Sequence, residues 1–249
     1  MAPEITPTRY LVQATWDDAP HLDEQTKTDL WASTPPHLRD ARAKGIPALG
    51  VGAIYPVPLS DIEIEPFEIP AWWPRAYALD VGWNVTAALW GAWDLATDTI
   101  YAYAEHYRKE AEPVVHAAAI KARGAWIKGV VDPASRGRSQ SDGRQLYATY
   151  REHGLHLKPA DNAVDAGIHD VWTRLSTGRL KAFTTLKRWR SEYALYHRDE
   201  KGRIVKANDH LQDCCRYLVR SGRSVATVQA PKASHGPGAH VALDRKAGY

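Results

Sequence analysis

The stretch Tyr77-Ala78-Leu79-Asp80-Val81-Gly82 decides how this chain is read. A short apolar run closed by glycine is the pattern of a buried strand. One charged residue sits near its end. Such positions rarely hold a carboxylate unless it is paired or bound to a metal. The pattern recurs at Val130-Val131-Asp132-Pro133, where the proline keeps Asp132 extended and ends the strand. Both acids therefore stand at tips of short apolar strands. If the two strands pair in parallel, the carboxylates converge. Taken singly, each acid is better explained as the cap of the turn that follows. Taken together, they favour a site.

Working outward, residues 86–93 read as a second strand and residues 99–107 as a third, joined by the turn Asp94-Leu-Ala-Thr-Asp98. These three make an antiparallel meander. Pro113 opens a helix to about Arg123, and residues 126–131 form the strand that ends at Asp132. A helix is predicted over 141–153, opened by Ser141 or Asp142. A short strand at 155–157 and a helix over 164–176 follow. The sum is an α/β fold: a mixed β-sheet flanked by helices. Residues 1–70 are predicted to hold two short helices (23–32 and 37–44) and then an extended linker, because Pro56, Pro58, Pro66 and Pro70 forbid a long helix or central strand. The domain proper is placed at 71–222, and residues 223–249 are expected to be a flexible basic tail.

Composition excludes whole classes. The 249 residues are 44% hydrophobic and 24% charged, which excludes a disordered or low-complexity chain. No run reaches the roughly 18 apolar residues of a membrane span. The only cysteines, Cys214 and Cys215, are adjacent, so no disulfide framework is expected and a reducing compartment is. The net charge of +3 hides an asymmetry: residues 1–70 carry −6 and residues 71–249 carry +9. A basic second part suits a polyanion such as nucleic acid, although a solvated basic face explains the charge as well. The ten tryptophans and twelve tyrosines are read as core and rim.

A third acid comes from Asn208-Asp209-His210-Leu211-Gln212-Asp213-Cys214-Cys215-Arg216-Tyr217. Asn208 or Asp209 is a natural N-cap for a helix from His210 to about Val219. His210 and Asp213 are three apart and share one of its faces. The bland alternative is a capping Asp on an amphipathic helix, with Arg216 or Arg220 as its surface partner. Three carboxylates and an imidazole suit Mg²⁺ or Mn²⁺ rather than zinc. Two such ions about 4 Å apart can hold a phosphodiester and activate water. Asn at any of the three acids is expected to leave stability unchanged or raised, because clustered carboxylates repel one another.

The chain resembles the large terminase subunit of tailed phages, in its C-terminal nuclease domain with an RNase H-like fold. The resemblance rests on Leu79-Asp80-Val81-Gly82, on Gly129-Val130-Val131-Asp132-Pro133 and on the motif from Asn208 to Tyr217. Gly178 through Trp189, Glu192, Tyr196 and Gly202 is similar to the family's segment before its last acidic motif. Trp16 to His21 and Gly45 to Tyr55 are similar to the end of the family's ATPase domain and the connection out of it. Other RNase H-like nucleases, of resolvase or transposase type, share the acids but not that first segment.

The resemblance implies metal-binding catalytic acids at Asp80, Asp132 and Asp213, with His210 as an accessory and Asp209 as a further oxygen. It implies cleavage of double-stranded DNA, the concatemeric phage genome, during packaging in the host cytoplasm. The portal and the small terminase subunit are the implied partners. The phosphate-cradling pattern G-x-x-x-x-G-K-[ST] is absent, so no ATP hydrolysis is expected of this chain. The chain reads as part of a longer protein. Residues 192–206 alternate around Asp199-Glu200-Lys201-Gly202 as a β-hairpin, with Arg198, Lys201, Arg203 and Lys206 as candidate DNA contacts. Arg136 and Arg138, just after Asp132, are placed to bind phosphate. A solvated hairpin explains the first four equally well.

Overall fold

The computed structural model describes residues 5–6, 9–10, 14–33, 43, 52–136, 146–199 and 201–229. Its strands are β1 (Ile5–Thr6), β2 (Arg9–Tyr10), β3 (Glu63–Ile64), β4 (Arg75–Asp80), β5 (Thr86–Asp94), β6 (Thr99–Arg108), β7 (Lys128–Val131), β8 (Leu157–Pro159) and β9 (Leu180–Phe183). Its helices are α1 (Glu24–Ser33), α2 (Leu59–Ile62), α3 (Pro113–Ala122), α4 (Leu146–Glu152), α5 (Val164–Ser176), α6 (Lys187–Leu195) and α7 (His210–Ser221).

Seven strands form one mixed sheet in the order β3-β9-β6-β5-β4-β7-β8. The meander is β4-β5-β6, antiparallel throughout. β7 then joins β4 in parallel and β8 joins β7 in parallel. The parallel pairing that would bring Asp80 and Asp132 together is thus present.

Alternation along β4 sorts its residues between two cores. Tyr77 and Leu79 face α3 and α4, with Trp90, Ala117, Ile120 and Tyr150. Ala76 and Ala78 face α5, α6 and α7, with Val171, Trp189, Leu211 and Leu218. α7 lies close on this second face. A methyl group at Gly91 of β5 would stand 2.6 Å from Leu218 Cδ2, and one at Gly167 of α5 would stand 2.5 Å from Arg216 Cγ. Glycine is needed at both places for these approaches. Leu211 and Leu218 are fully buried, and each stabilises the contact by about 1.5–3 kcal/mol.

Three expectations need correction. The segment drawn as a linker is anchored: Ile54, Tyr55, Val57, Ile62 and Ile69 are buried in the core that faces α7, and β3 pairs in parallel with β9. Proline-rich spacing excludes a long element but not a short edge strand. The basic hairpin lacks its first arm, because residues 187–195 are helical. Trp189, Glu192, Tyr193 and Tyr196 recur at helical spacing and all are buried. What remains is a turn at Asp199–Gly202 closed by a single bridge between Arg198 and Ile204. The start of the tail is also docked: Val225 is buried, and the Thr227 and Arg75 backbones bond to each other. Ala43 apart, the predicted helix at 37–44 lies outside the described residues, as do the opening of the helix predicted from 141 and the tail from 230 onward.

Candidate functional site

The pleat that buries Ala76 and Ala78 beneath α7 puts Asp80 on the same face. β7 repeats the arrangement, with Val130 on the α7 side and Val131 on the other, so Asp132 follows onto the α7 side. The backbone N–H of Asp132 donates to the Leu79 carbonyl at 3.1 Å, which ties the two strand tips together. One Asp132 carboxylate oxygen also accepts from the Ala134 N–H at 3.0 Å, the turn-capping role expected of a lone Asp.

α7 lays its first turn over those tips. Asp80 Oδ2 and His210 Nδ1 are 2.8 Å apart. Asp209 occupies the N-cap position, and Asp213 stands one turn on. Lys206 Nζ reaches both, at 3.3 Å from Asp209 and 3.5 Å from Asp213. The other Asp213 oxygen accepts from Arg216, Nη2 at 3.0 Å and Nε at 3.3 Å. Arg216 also donates to Asn162 Oδ1 at 2.9 Å. Its side chain is only 1% exposed. Of the two arginines the bland alternative offered Asp213, Arg216 does pair with it, but without a surface role. Arg220 keeps one, paired with Asp161 and Asp170.

The acids sense one another. Burial lifts Asp80 above the ordinary carboxylate range, the His210 hydrogen bond draws it back, and Asp213 and Asp132 lift it further. The Asp80 hydrogen bond raises His210 against the opposing effect of burial. Burial raises the Tyr217 hydroxyl, and Asp132, Asp213 and Asp80 all add to the rise. Asp213 pairs with a buried guanidinium, so Asp213→Asn is expected to cost stability, unlike the same change at the other two acids. Among the described residues, no three His, Cys, Asp or Glu side chains are drawn together closely enough to enclose a metal ion.

The candidate DNA contacts divide. Lys206 reaches the carboxylates. Arg198 is held by Asp165 and the Gly202 carbonyl, and Arg203 by Asp199. Lys201 is exposed on the turn. Arg136 closes the short helical turn after Asp132, and Arg138 lies outside the described residues.

Two residues carry more than the sequence suggested. Arg216 is one. The other is Glu192 of α6, which is buried and accepts the Leu211 N–H at 2.6 Å. It satisfies the start of α7 where Asp209 makes no side-chain capping bond. Burial pushes it up to about 7. Its spacing from Trp189 and Tyr196 marked it as an inward-facing acid.

Comparison with known proteins agrees with this arrangement. The family model for the terminase RNaseH-like domain matches residues 78–221. The large terminase subunit of Salmonella phage P22 is 34% identical over 236 residues, covering 89% of this chain and 47% of that protein. The chain thus spans about half the length of the curated relatives it matches. The solved nuclease domain of the P22 large terminase superposes with a TM-score of 0.66 at 30% identity, over 73% of this chain and 97% of that one. The nuclease domain of the phage SPP1 large terminase, solved with bound Mn, shares the fold. Its TM-score is 0.50 at 19% identity, over 68% of this chain and 99% of that one. No helix among the described residues is long and apolar enough to cross a membrane. Strand order, the acids at the strand tips and these likenesses agree: the chain belongs to the terminase RNase H-like family.

Proposed function

We propose that this chain is a metal-dependent endonuclease that cuts double-stranded DNA, the concatemeric phage genome, during packaging. One observation carries the reading: Asp80 and Asp132 end adjacent parallel strands under the turn of α7 that bears His210 and Asp213. Asp80, Asp132 and Asp213 would hold Mg²⁺ or Mn²⁺, two ions in all, with Asp209 as a further oxygen and His210 as accessory. The donor set suits a hard dication, and mutual crowding of carboxylates is what a cation relieves. The SPP1 structure holds Mn, which supports the choice of metal. When bound, such an ion supplies Lewis acidity and charge for phosphodiester hydrolysis.

The protein's own groups have defined tasks. To serve as a ligand, Asp213 would exchange its 3.5 Å contact with Lys206 for the ion, while its other oxygen can stay with Arg216. Arg216 keeps Asn162 as a partner meanwhile, so its burial remains supported. Lys206, released, is free to meet a phosphate. His210 orients the Asp80 carboxylate and holds the proton they share. The portal and the small terminase subunit are proposed as partners and the host cytoplasm as the location. ATP turnover is expected to stay at background. A malachite-green phosphate assay on the purified chain checks this.

The Asp213–Arg216 pair favours a second reading, a DNA-binding or motor-docking module whose acids only build structure. Supercoiled plasmid with the chain and Mn²⁺, with and without EDTA, separates the two. The nuclease reading expects nicked and linear product that EDTA abolishes. Intact plasmid in both lanes contradicts it.

A further inference from the structure

The row of residues that contains Asp80 continues across the sheet. Asp80 pairs with Ala87 of β5, and Ala87 with Tyr107 of β6. All three side chains therefore stand on the α7 face, with Tyr107 two strands from Asp80, about 10 Å away. The Tyr107 ring lies between His210, 6.2 Å from it between centroids, and Arg188, whose guanidinium carbon is 5.5 Å from the ring centre. Arg188 is exposed and makes no ion pair among the described residues, so its N–H donors stay available while the ring holds the group in place.

Beside this row, the loop after Asp80 holds up Trp83, which is 63% exposed. The loop is pinned on both sides. The Thr86 hydroxyl donates to the Gly82 carbonyl at 3.0 Å, and the Glu110 N–H donates to the Trp83 carbonyl at 3.2 Å. Glu110 belongs to the turn after β6, so that turn is drawn against Trp83. Lys109, in the same turn, is exposed and likewise unpaired among the described residues, whereas Arg108, the last residue of β6, alternates onto the α3 face with His106. Glu110 and Glu112 are the exposed acids there, and the Glu105 carboxylate is held at the start of α6, accepting the Arg188 and Trp189 N–H groups at 3.0 and 2.9 Å. Trp72 is more exposed still, but it precedes the far end of β4 and has no place in this row.

We propose that Trp83, Tyr107, Lys109 and Arg188 form a DNA-contact strip that receives the strand as it leaves the carboxylates. The strip rests on the nuclease reading above. Arg188 and Lys109 take phosphates. Trp83, held by its pinned loop, offers a flat face to a base or sugar with little ordering still to lose. Contacts of this kind fix the register of the strand without reading its sequence.

Fluorescence anisotropy with a labelled duplex in Ca²⁺, over a salt series, tests the strip, with plasmid cleavage in Mn²⁺ run beside it. Trp83→Ala should weaken binding about fivefold or more, and Trp83→Phe should recover most of that. Arg188→Ala and Lys109→Ala should each lower the log–log salt slope by about 0.9. Lys128→Ala, at the opposite end of β7 from Asp132, should bind as the parent does. Melting temperatures equal to the parent's confirm that these exposed changes leave the fold intact. If the parent binds and cuts DNA while the Trp83, Arg188 and Lys109 variants match it, the strip is wrong and the nuclease reading stands. If the parent neither binds nor cuts, both fall.

Discussion

The two faces of the sheet bury polar groups in opposite ways. Under α7 the chain keeps charges and pairs them: Asp80 with His210, and Asp213 with Arg216 and Lys206, beside the buried acid Glu192. Under α3 it buries a pair of imidazoles, with His106 Nε2 and His116 Nδ1 at 2.9 Å and His116 Nε2 at 3.1 Å from the Ala111 carbonyl. That chain of bonds is complete when both rings are neutral, and burial accordingly pushes His106 down to about 4. The second face keeps its buried polar groups neutral, the Tyr77 hydroxyl and Trp90 N–H included, which find no hydrogen-bond partner among the described residues. The first holds Asp80, whose proton affinity Asp213 and Asp132 raise, and an Asp213 shared between buried Arg216 and exposed Lys206, an arrangement a dication can exploit.

The comparison breaks most visibly at Arg216. Arg216→Ala leaves Asp213 without its buried partner and should cost about 3–5 kcal/mol, read as a shift in the urea midpoint at unchanged m-value. Glu192 comes next. Glu192→Ala strands the Leu211 N–H at the start of α7 and should cost about 1–3 kcal/mol. A loss below a few tenths would show that the helix start needs no cap from α6.

The pH responses of the two faces are opposite in sign. Glu192 binds its proton more tightly folded than unfolded, so its contribution weakens as pH rises from about 4.5 to about 7. Glu192→Gln should flatten that slope. His106 binds its proton more weakly when folded, so its contribution is lost as pH falls from 6.5 to about 4. His106→Phe should remove that loss. Thermal melts across pH 4–8 on the parent and both variants check the signs, and slopes of the same sign for both sites would undo the comparison.

The central meander was legible because β4 and β5 carry apolar runs and β6 alternates, with turn residues between them. The two strand-tip acids were legible because they interrupt such runs. β9 was not, since Leu180-Lys181-Ala182-Phe183 is too short to show a period, and its place depends on partners far along the chain. α6 was missed because alternation in Tyr193-Ala194-Leu195-Tyr196 imitates a strand, while the helical recurrence of its aromatics spans a wider window. The burial of Arg216 was not readable, because it depends on how closely Gly167 lets α5 approach α7. Asp213 could be found as a candidate by its motif, but its engagement by Arg216 and Lys206 is a tertiary fact.

The central claim is that Asp80 and Asp132 act together as metal-holding acids. Mn²⁺-dependent plasmid nicking by the parent, Asp80→Asn and Asp132→Asn, with a melting curve for each, tests it most directly. Asn keeps the shape but removes the charge a hard cation needs. Both variants should lose about 100-fold or more of the nicking rate. Both should melt at or near the parent's temperature, and Asp80→Asn no lower than the parent, since burial already disfavours its charge. Nicking at the parent rate by either variant, with its fold intact, would contradict the claim.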